Sequence, residues 1–513
     1  MADQTQDAQA QILELQKQIE QLKAQGPQKS PYDVYQTSLT SRYCSAEMTK
    51  LFSQRSRHSL WRKLWLSLAE AEYELGVDAI TPQALDEMRA HLTVTDDDFE
   101  AARVEEKIRR HDVMAHVHAF GLVAPAAAGV IHYGATSCYV TDNAELIMMR
   151  DALDMLTKRL SKVIANLKSF ALQWKAEPTL AYTHLQSAQP ITVGRRAAQW
   201  LQDLTFDLEA LETVRKNLKL RGAQGTTGSQ ASFLEIFQGD HAKCDQLNEL
   251  LCKKLGFPAC YDISTQTYSR KVDLLVAQAV AGLGASAHKM ANDIRLLSNF
   301  QEVEEPIEAK QIGSSAMAFK RNPMRSERIC SLSRALMAKP ASFANTLSTQ
   351  WMERTLDDSA IRRMDIPEMM LLAEAVLIGL DNVTDGLVVY PARIRSRFLD
   401  QLPFMVTEAI IMKLVAKGAS RQQAHEEIRV LSREAASVVK MEGKPNDLIE
   451  RIRKTEFFQP IWDELDTMMK PELYIGRSVE IVERYCGAGG PVEKLLAPYE
   501  QYLAKSTTAQ LNV

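Results

Sequence analysis

The sequence predicts an all-α protein of three mostly helical domains, with a bundle of long helices in the middle domain. Between Val140 and Glu177 there is no Gly or Pro, and apolar residues recur there at helical spacing. Two further segments, from about Val193 to Leu220 and from Val272 to Val303, are also longer than an ordinary globular helix. Helices this long carry more than one apolar face, which favours a bundle that is completed by partner subunits.

The first domain is predicted over residues 1–136. Residues 1–31 are polar and rich in Gln, and they carry a short apolar stripe at Ile12, Leu15, Ile19 and Leu22. Two heptads are too few for a stable coiled coil, so we predict a flexible extension here. An amphipathic helix is predicted from Ser59 to Leu75, and shorter helices follow to about residue 130.

The second and third domains are predicted over residues 137–389 and 390–513. The middle domain holds the three long segments. After Tyr390-Pro391 the helices become shorter, and Gly- and Pro-containing breaks at 443–445 and 487–491 interrupt them. Strand signals are scarce throughout the chain.

Composition describes an ordinary globular protein and excludes several classes. The chain has 513 residues, more than one core usually fills, and a formal net charge of −4 that argues against a nucleic-acid partner. Its 7 cysteines are odd in number and form no Cys-x-x-Cys pair, which indicates reduced thiols and neither a disulfide framework nor a zinc site. No signal-peptide pattern and no long apolar run are present. We therefore expect a soluble, cytoplasmic protein without a membrane partner.

One segment carries the chemistry. Residues 313–323 read Gly-Ser-Ser-Ala-Met-Ala-Phe-Lys-Arg-Asn-Pro. Gly, Ser and Pro are typical of a mobile loop, and such a loop can close over a substrate and bring a hydroxyl and an ammonium to the same atom. The segment resembles the signature of the fumarase/aspartase superfamily, Gly-Ser-Ser-x-Met-Pro-x-Lys-x-Asn-Pro, whose members eliminate fumarate from a succinyl group. Ala318 stands where that family usually has Pro, which removes a φ restraint from the loop.

Further motifs narrow the resemblance to the branch of the superfamily that cleaves adenylosuccinate. They are Arg110-His111-Asp112, Gly134-Ala135-Thr136-Ser137, Thr183-His184-Leu185-Gln186 and the segment Gln350 to Ser359. The resemblance runs from about Arg42 to the last helices. It implies a fumarase-like fold, a homotetramer with sites shared between subunits, and no cofactor. It also implies release of fumarate from adenylosuccinate and from the succinylated aminoimidazole carboxamide ribotide of purine biosynthesis.

The catalytic residues are predicted from what a β-elimination needs: a base, stabilisation of the enolate, and an acid for the leaving nitrogen. Ser314 is predicted to be the base, with its alkoxide stabilised by backbone N–H groups and nearby cations when the loop closes. Lys320 and Asn322 are predicted to stabilise the developing carboxylate charge. His184 is the predicted general acid, because histidine titrates near neutral pH.

The substrate-binding residues are predicted around a nucleotide 5′-phosphate. Arg354, Ser359 and Arg363 offer two guanidinium groups and a hydroxyl, which suit bidentate phosphate recognition. The resemblance adds a further set of substrate-binding residues: Arg42, Tyr43, Arg110, His111, Asp112, Thr136, Ser137, Thr183, Gln266 and Arg328.

The histidines near residue 111 do not suit a metal site. His116 and His118 would point about 200° apart on a helix, so they and His111 would not share one face. No carboxylate pair or cysteine completes a ligand set. No metal is predicted.

Two other functions stay open at this point. An enzyme like argininosuccinate lyase shares the chemistry but has no phosphate to bind, and the paired arginines 354 and 363 argue against it. A non-catalytic structural paralogue is the other alternative. The presence of Ser314, Lys320 and His184 together argues against that one.

Overall fold

The computed structural model describes residues 33–308, 310–509 and 511. The apolar stripe predicted within residues 1–31 lies outside the described residues. The α-helices, numbered in chain order, are α1 Ala46–Leu51, α2 Gln54–Glu74, α3 Pro82–Ala90, α4 Asp96–Arg109, α5 Asp112–Val123, α6 Ser137–Gln173, α7 Val193–Lys216, α8 Ala231–Ile236, α9 His241–Leu255, α10 Lys271–Asn299, α11 Met324–Met337, α12 Lys339–Ser348, α13 Asp357–Asp385, α14 Pro391–Met405, α15 Thr407–Ala416, α16 Arg421–Glu442, α17 Leu448–Lys454, α18 Leu465–Met468, α19 Ser478–Cys486, α20 Pro491–Leu496 and α21 Glu500–Leu503.

Shorter elements connect the helices. Short segments of 3₁₀ or π helix occur at Leu39–Tyr43, Pro125–Ala127, Glu456–Glu464, Pro471–Tyr474 and Ala497–Tyr499. The strands are β1 Pro178–Thr183, β2 Gln186–Thr192, β3 Val303–Glu304 and β4 Val388–Val389. They form two antiparallel pairs, β1 with β2 and β3 with β4.

The centre of the molecule is a bundle of α6, α7, α10, α11 and α13. Helix α6 has 37 residues and packs against α7 and α13, while α10, with 29 residues, packs against α7, α11 and α13. The side chains of Leu153, Leu156 and Leu160 on α6 are fully buried. The predicted all-α class and its three long segments are confirmed. Among the described helices, none is long and apolar enough to cross a membrane.

A β-hairpin between α6 and α7 is the main departure from the helical pattern. Thr183 pairs with Gln186, so His184 and Leu185 alone form the turn, and their φ angles are 53° and 57°. Two consecutive left-handed residues are the geometry of a type I′ turn, whose usual signal is Asn-Gly or Asp-Gly. This chain has His-Leu there, which explains why the hairpin was not predicted.

The C-terminal region packs in two places. Residues from Phe398 to Met468 form a core of their own, which also receives Leu180 from β1. Helices α19 and α20 return to the main core, where Val482 and Leu496 are buried. The division into three domains stays a prediction.

Candidate active site

A cleft of about 430 Å³ collects many of the predicted substrate-binding residues. The first turns of α5, α6 and α13 all contribute to its wall. Helix N-termini favour anionic ligands, because their unpaired N–H groups and dipoles are positive there. The predicted residues that line the cleft are Arg110, His111, Asp112, Ser137, Gln266, Arg354, Ser359 and Arg363.

The turn between α4 and α5 fixes the orientation of His111. Arg110 ends α4 in a left-handed conformation with φ of 55°, and His111 caps α5 by accepting a hydrogen bond at Nδ1 from Met114 N–H at 3.3 Å. Because Nδ1 accepts, the ring proton lies on Nε2. That nitrogen is 3.2 Å from Ser137 Oγ, so it donates to the hydroxyl. Thr136, the residue before Ser137, is the N-cap residue of α6.

Both arginines predicted to bind phosphate are already paired with carboxylates. Arg354 Nη1 donates to both oxygens of Asp358, at 2.8 and 2.9 Å. Arg363 Nη2 donates to Asp112 Oδ2 at 2.5 Å. Burial alone would raise the pKa of Asp112, but the hydrogen bond and charge of Arg363 outweigh it and lower that pKa. Each guanidinium has five N–H groups, so donors remain for a ligand.

The serine loop, which we define as Gly313–Pro323, is exposed over most of its length. Ser314 Oγ accepts hydrogen bonds from the backbone N–H groups of Met317 at 3.1 Å and Ala316 at 3.4 Å. The base of the loop is closed by a tight backbone contact: a Cβ added to Gly313 would lie 2.1 Å from the carbonyl oxygen of Lys320. Only glycine fits such an approach.

The remaining predicted residues lie elsewhere in the chain. Arg42, Tyr43 and Arg328 line a second cavity of about 210 Å³, where the Arg328 guanidinium lies 5.1 Å from the centre of the Tyr43 ring. Thr183 and His184 lie at the tip of the hairpin. Within the described part of this single chain, neither the hairpin tip nor the serine loop lines the cleft.

Comparison with known proteins decides the family. Residues 40–337 match the model of a family described as "Lyase", and residues 403–485 match "Adenylosuccinate lyase C-terminus". The chain is 53% identical over 482 residues to the adenylosuccinate lyase of Saccharomyces cerevisiae, covering 94% of this chain and 99% of the yeast protein. It is 51% identical to the adenylosuccinate lyase of Schizosaccharomyces pombe, covering 92% and 98%. The chain belongs to the adenylosuccinate lyase family.

A solved structure extends the comparison to the fold. The 3-carboxy-cis,cis-muconate lactonizing enzyme from Pseudomonas putida is 22% identical, with a TM-score of 0.75 over 90% of this chain and 99% of that one. This chain and that enzyme therefore share the long-helix architecture described above.

Sequence reasoning missed a buried ion network that forms part of the cleft wall in this adenylosuccinate lyase relative. Arg270 donates to Asp142 at 3.1 Å and to Asp358 at 2.7 Å, and Arg362 pairs with Asp273 and Glu145 at 2.7 Å each. Burial would raise the pKa of Asp142, but Arg270 and Arg362 lower it. One signal was available: Asp142 and Glu145 are carboxylates three residues apart at the start of a long apolar helix.

Proposed function

We propose that this chain eliminates fumarate from adenylosuccinate to leave AMP, and from the succinylated aminoimidazole carboxamide ribotide to leave aminoimidazole carboxamide ribotide. The observation that carries the proposal is the cleft in which Arg354, Ser359 and Arg363 meet the Arg110-His111-Asp112 turn. This cleft offers guanidinium donors and helix N-termini to a phosphate dianion. The membership of the chain in the adenylosuccinate lyase family supports the elimination of fumarate as the reaction.

The proposed reaction moves two protons and breaks one C–N bond. Ser314, as alkoxide, takes the proton from the succinyl carbon next to a carboxylate, and Lys320 and Asn322 stabilise the charge that develops there. The electrons of the C–N bond leave with the nitrogen, which His184 protonates. The N–H groups of Ala316 and Met317 that already donate to Ser314 Oγ support this role, because they would stabilise the alkoxide.

We also propose that the enzyme is a homotetramer whose sites are shared between subunits. The hairpin tip, the serine loop and the segment before Arg354 carry exposed apolar side chains: Leu185 is 72% exposed, Phe319 83% and Trp351 72%. Large apolar side chains on site-bearing segments are typical of surfaces that a partner covers. A second subunit would then supply the hairpin or the loop to the cleft of the first.

The proposed compartment is the cytoplasm. All the cysteines are free thiols, including Cys252 and Cys260, whose sulfur atoms lie 3.5 Å apart. Thiols that lie this close and stay reduced fit a reducing compartment.

The activity is tested by incubating the purified protein with adenylosuccinate and following the loss of ultraviolet absorbance together with the release of fumarate. Argininosuccinate serves as the competing substrate, and Ser314→Ala as the inactive control. We expect turnover of adenylosuccinate alone, and a kcat for Ser314→Ala below about a tenth of the parent value, a change of roughly 1.4 kcal/mol in activation free energy. Turnover of argininosuccinate would refute the substrate assignment.

The shared site is tested by complementation. Ser314→Ala and His184→Ala are unfolded, mixed in equal amounts and reassembled. If the two residues come from different subunits, roughly a quarter of the sites in random hybrids carry both intact groups, and activity rises towards that fraction. Each variant reassembled alone is the control and stays inactive. Inactive hybrid tetramers would contradict the shared site.

A further inference from the structure

The C-terminal strap, which we define as Thr507–Ala509, is tied to the bundle by both backbone groups of its last residue. Ala509 N–H donates to Asp381 Oδ2 at 2.8 Å, and Asn382 Nδ2 donates to the Ala509 carbonyl at 3.1 Å. Thr508 Oγ1 also donates to Asp385 Oδ2. The strap therefore docks on the last turns of α13 through three side chains, those of Asp381, Asn382 and Asp385.

The docking site is itself built into the core. The other oxygen of Asp381, Oδ1, accepts from Asn166 Nδ2 of α6 at 2.9 Å, in a buried contact. Ala509 N–H thus completes the hydrogen bonding of a buried carboxylate, which favours one position of the strap.

Asn382 connects the strap to Arg325. While its Nδ2 holds the Ala509 carbonyl, its Oδ1 accepts from Arg325 Nη1 at 2.6 Å. Both ends of the Asn382 amide are hydrogen-bonded. Displacement of the strap would leave Nδ2 without its acceptor, and the amide that holds the Arg325 guanidinium would then be less well fixed.

Arg325 connects in turn to both ends of the serine loop. It lies two residues after Pro323, where the loop ends, and its Nη2 donates to Glu308 Oε1 at 3.2 Å and to Gln311 Oε1 at 3.1 Å, before the loop begins. The side chain of Arg325 is 8% exposed, so the guanidinium is held in one place, whereas the Glu308 side chain is 75% exposed and its ion pair is screened by solvent. The hydrogen bonds to Asn382 and Gln311 therefore carry most of the connection.

We propose that the C-terminal strap positions the serine loop, and that Asn382 and Arg325 are the positioning residues through which it acts. The strap and Arg325 also border the second cavity, next to Arg42 and Tyr43. An effect of the strap on turnover rests on the proposed function, because it concerns the loop that carries Ser314. An effect of the strap on the order of the serine loop does not rest on that function.

The test replaces one hydrogen-bond donor. Ala509→Pro removes the N–H that donates to Asp381, since proline has none. Thr507→Pro is the matched control, because the Thr507 N–H has no acceptor within the described part of the chain. Hydrogen–deuterium exchange is measured at the amides from Gln311 to Lys320, and kcat and KM are measured with adenylosuccinate.

For Ala509→Pro we expect exchange at these amides to rise about fivefold, the effect of losing one hydrogen bond, and kcat to fall by a similar factor with KM changed less than about twofold. Thr507→Pro leaves all three values unchanged. In an Asn382→Ala background, Ala509→Pro adds no further increase, because the connection is already broken.

Exchange that rises only around α13 and the strap, or by the same factor in Thr507→Pro, would overturn the proposal. So would additive effects in the Asn382→Ala background. If Ala509→Pro does not fold, a chain that ends at Thr508 is measured in the same way. Increased exchange in a protein that lacks lyase activity would refute the proposed function and leave the strap's role standing.

Discussion

Replacing Gly313 by Ala should distort the serine loop without destabilising the rest of the fold. The added methyl group would lie 2.1 Å from the Lys320 carbonyl oxygen and 3.3 Å from Arg321 Cα, whereas real Cβ contacts essentially never fall below 3.0 Å. Backbone cannot rotate out of the way as a flexible side chain can. The two backbone segments at the base of the loop must therefore move apart by about 1 Å. Misplacing a catalytic group by that distance lowers the rate by roughly 100-fold.

The assay is kcat with adenylosuccinate, together with the unfolding temperature. We expect kcat to fall by roughly 100-fold while the unfolding temperature changes little, because the loop is exposed and contributes little to the core. Gly129→Ala is the matched control, since a Cβ there would meet nothing within 4 Å and should leave both values unchanged. A Gly313→Ala variant that keeps more than half of the parent kcat would refute the role of this contact.

Three further predictions concern the cleft, the buried histidines and the loop. Arg363→Ala should raise KM for the phosphorylated substrate by roughly 10- to 100-fold, the worth of a charged hydrogen bond, and change turnover of a dephosphorylated substrate much less; equal losses would indicate a structural role. Burial lowers the pKa of His116 to about 4, so between about pH 6.5 and pH 4 this histidine is protonated in the unfolded chain but neutral in the folded one. Urea titrations should therefore find that His116 lowers the free energy of unfolding by about 2 kcal/mol between pH 7 and pH 5. His116→Gln should lose that part of the pH dependence, and the control His118→Gln, at a half-buried position on the same helix, should keep it. Ala318→Pro should leave the unfolding temperature and kcat at least at parent values, because within the described residues the Ala318 N–H makes no hydrogen bond; a slower variant would mean that the loop follows a path that proline cannot adopt.

The long helices could be predicted because they follow from local pattern. Helix α6 begins and ends within a few residues of the predicted segment. The absence of Gly and Pro and the recurrence of apolar residues are properties of the helix's own sequence, so they predict it without knowledge of the rest of the fold. The hairpin could not be predicted in this way. Its turn residues, His184 and Leu185, are poor local signals, and tertiary packing of Leu180 against the C-terminal helices holds the strands in place.

Candidate site residues could be named from the sequence, but their mutual geometry could not. The family resemblance singled out Asp112 and the chemistry of phosphate recognition singled out Arg363, yet the hydrogen bond between them joins positions 251 residues apart. The strap is an extreme case: Ala509 has no distinctive side chain, and its role comes only from two backbone groups. Contacts of this kind follow from the folded topology and leave no mark in a local pattern.

The pairing of Arg354 with Asp358 has a consequence for how tightly a ligand can be held. A free arginine side chain loses about 2 kcal/mol of rotamer entropy when it is fixed. Here both oxygens of Asp358 accept hydrogen bonds from the Arg354 guanidinium, and Asp358 also accepts a hydrogen bond from Arg270. That ordering has already taken place when the chain folds, so the phosphate that we propose for this cleft would meet a preorganised guanidinium and would retain more of its interaction energy as affinity.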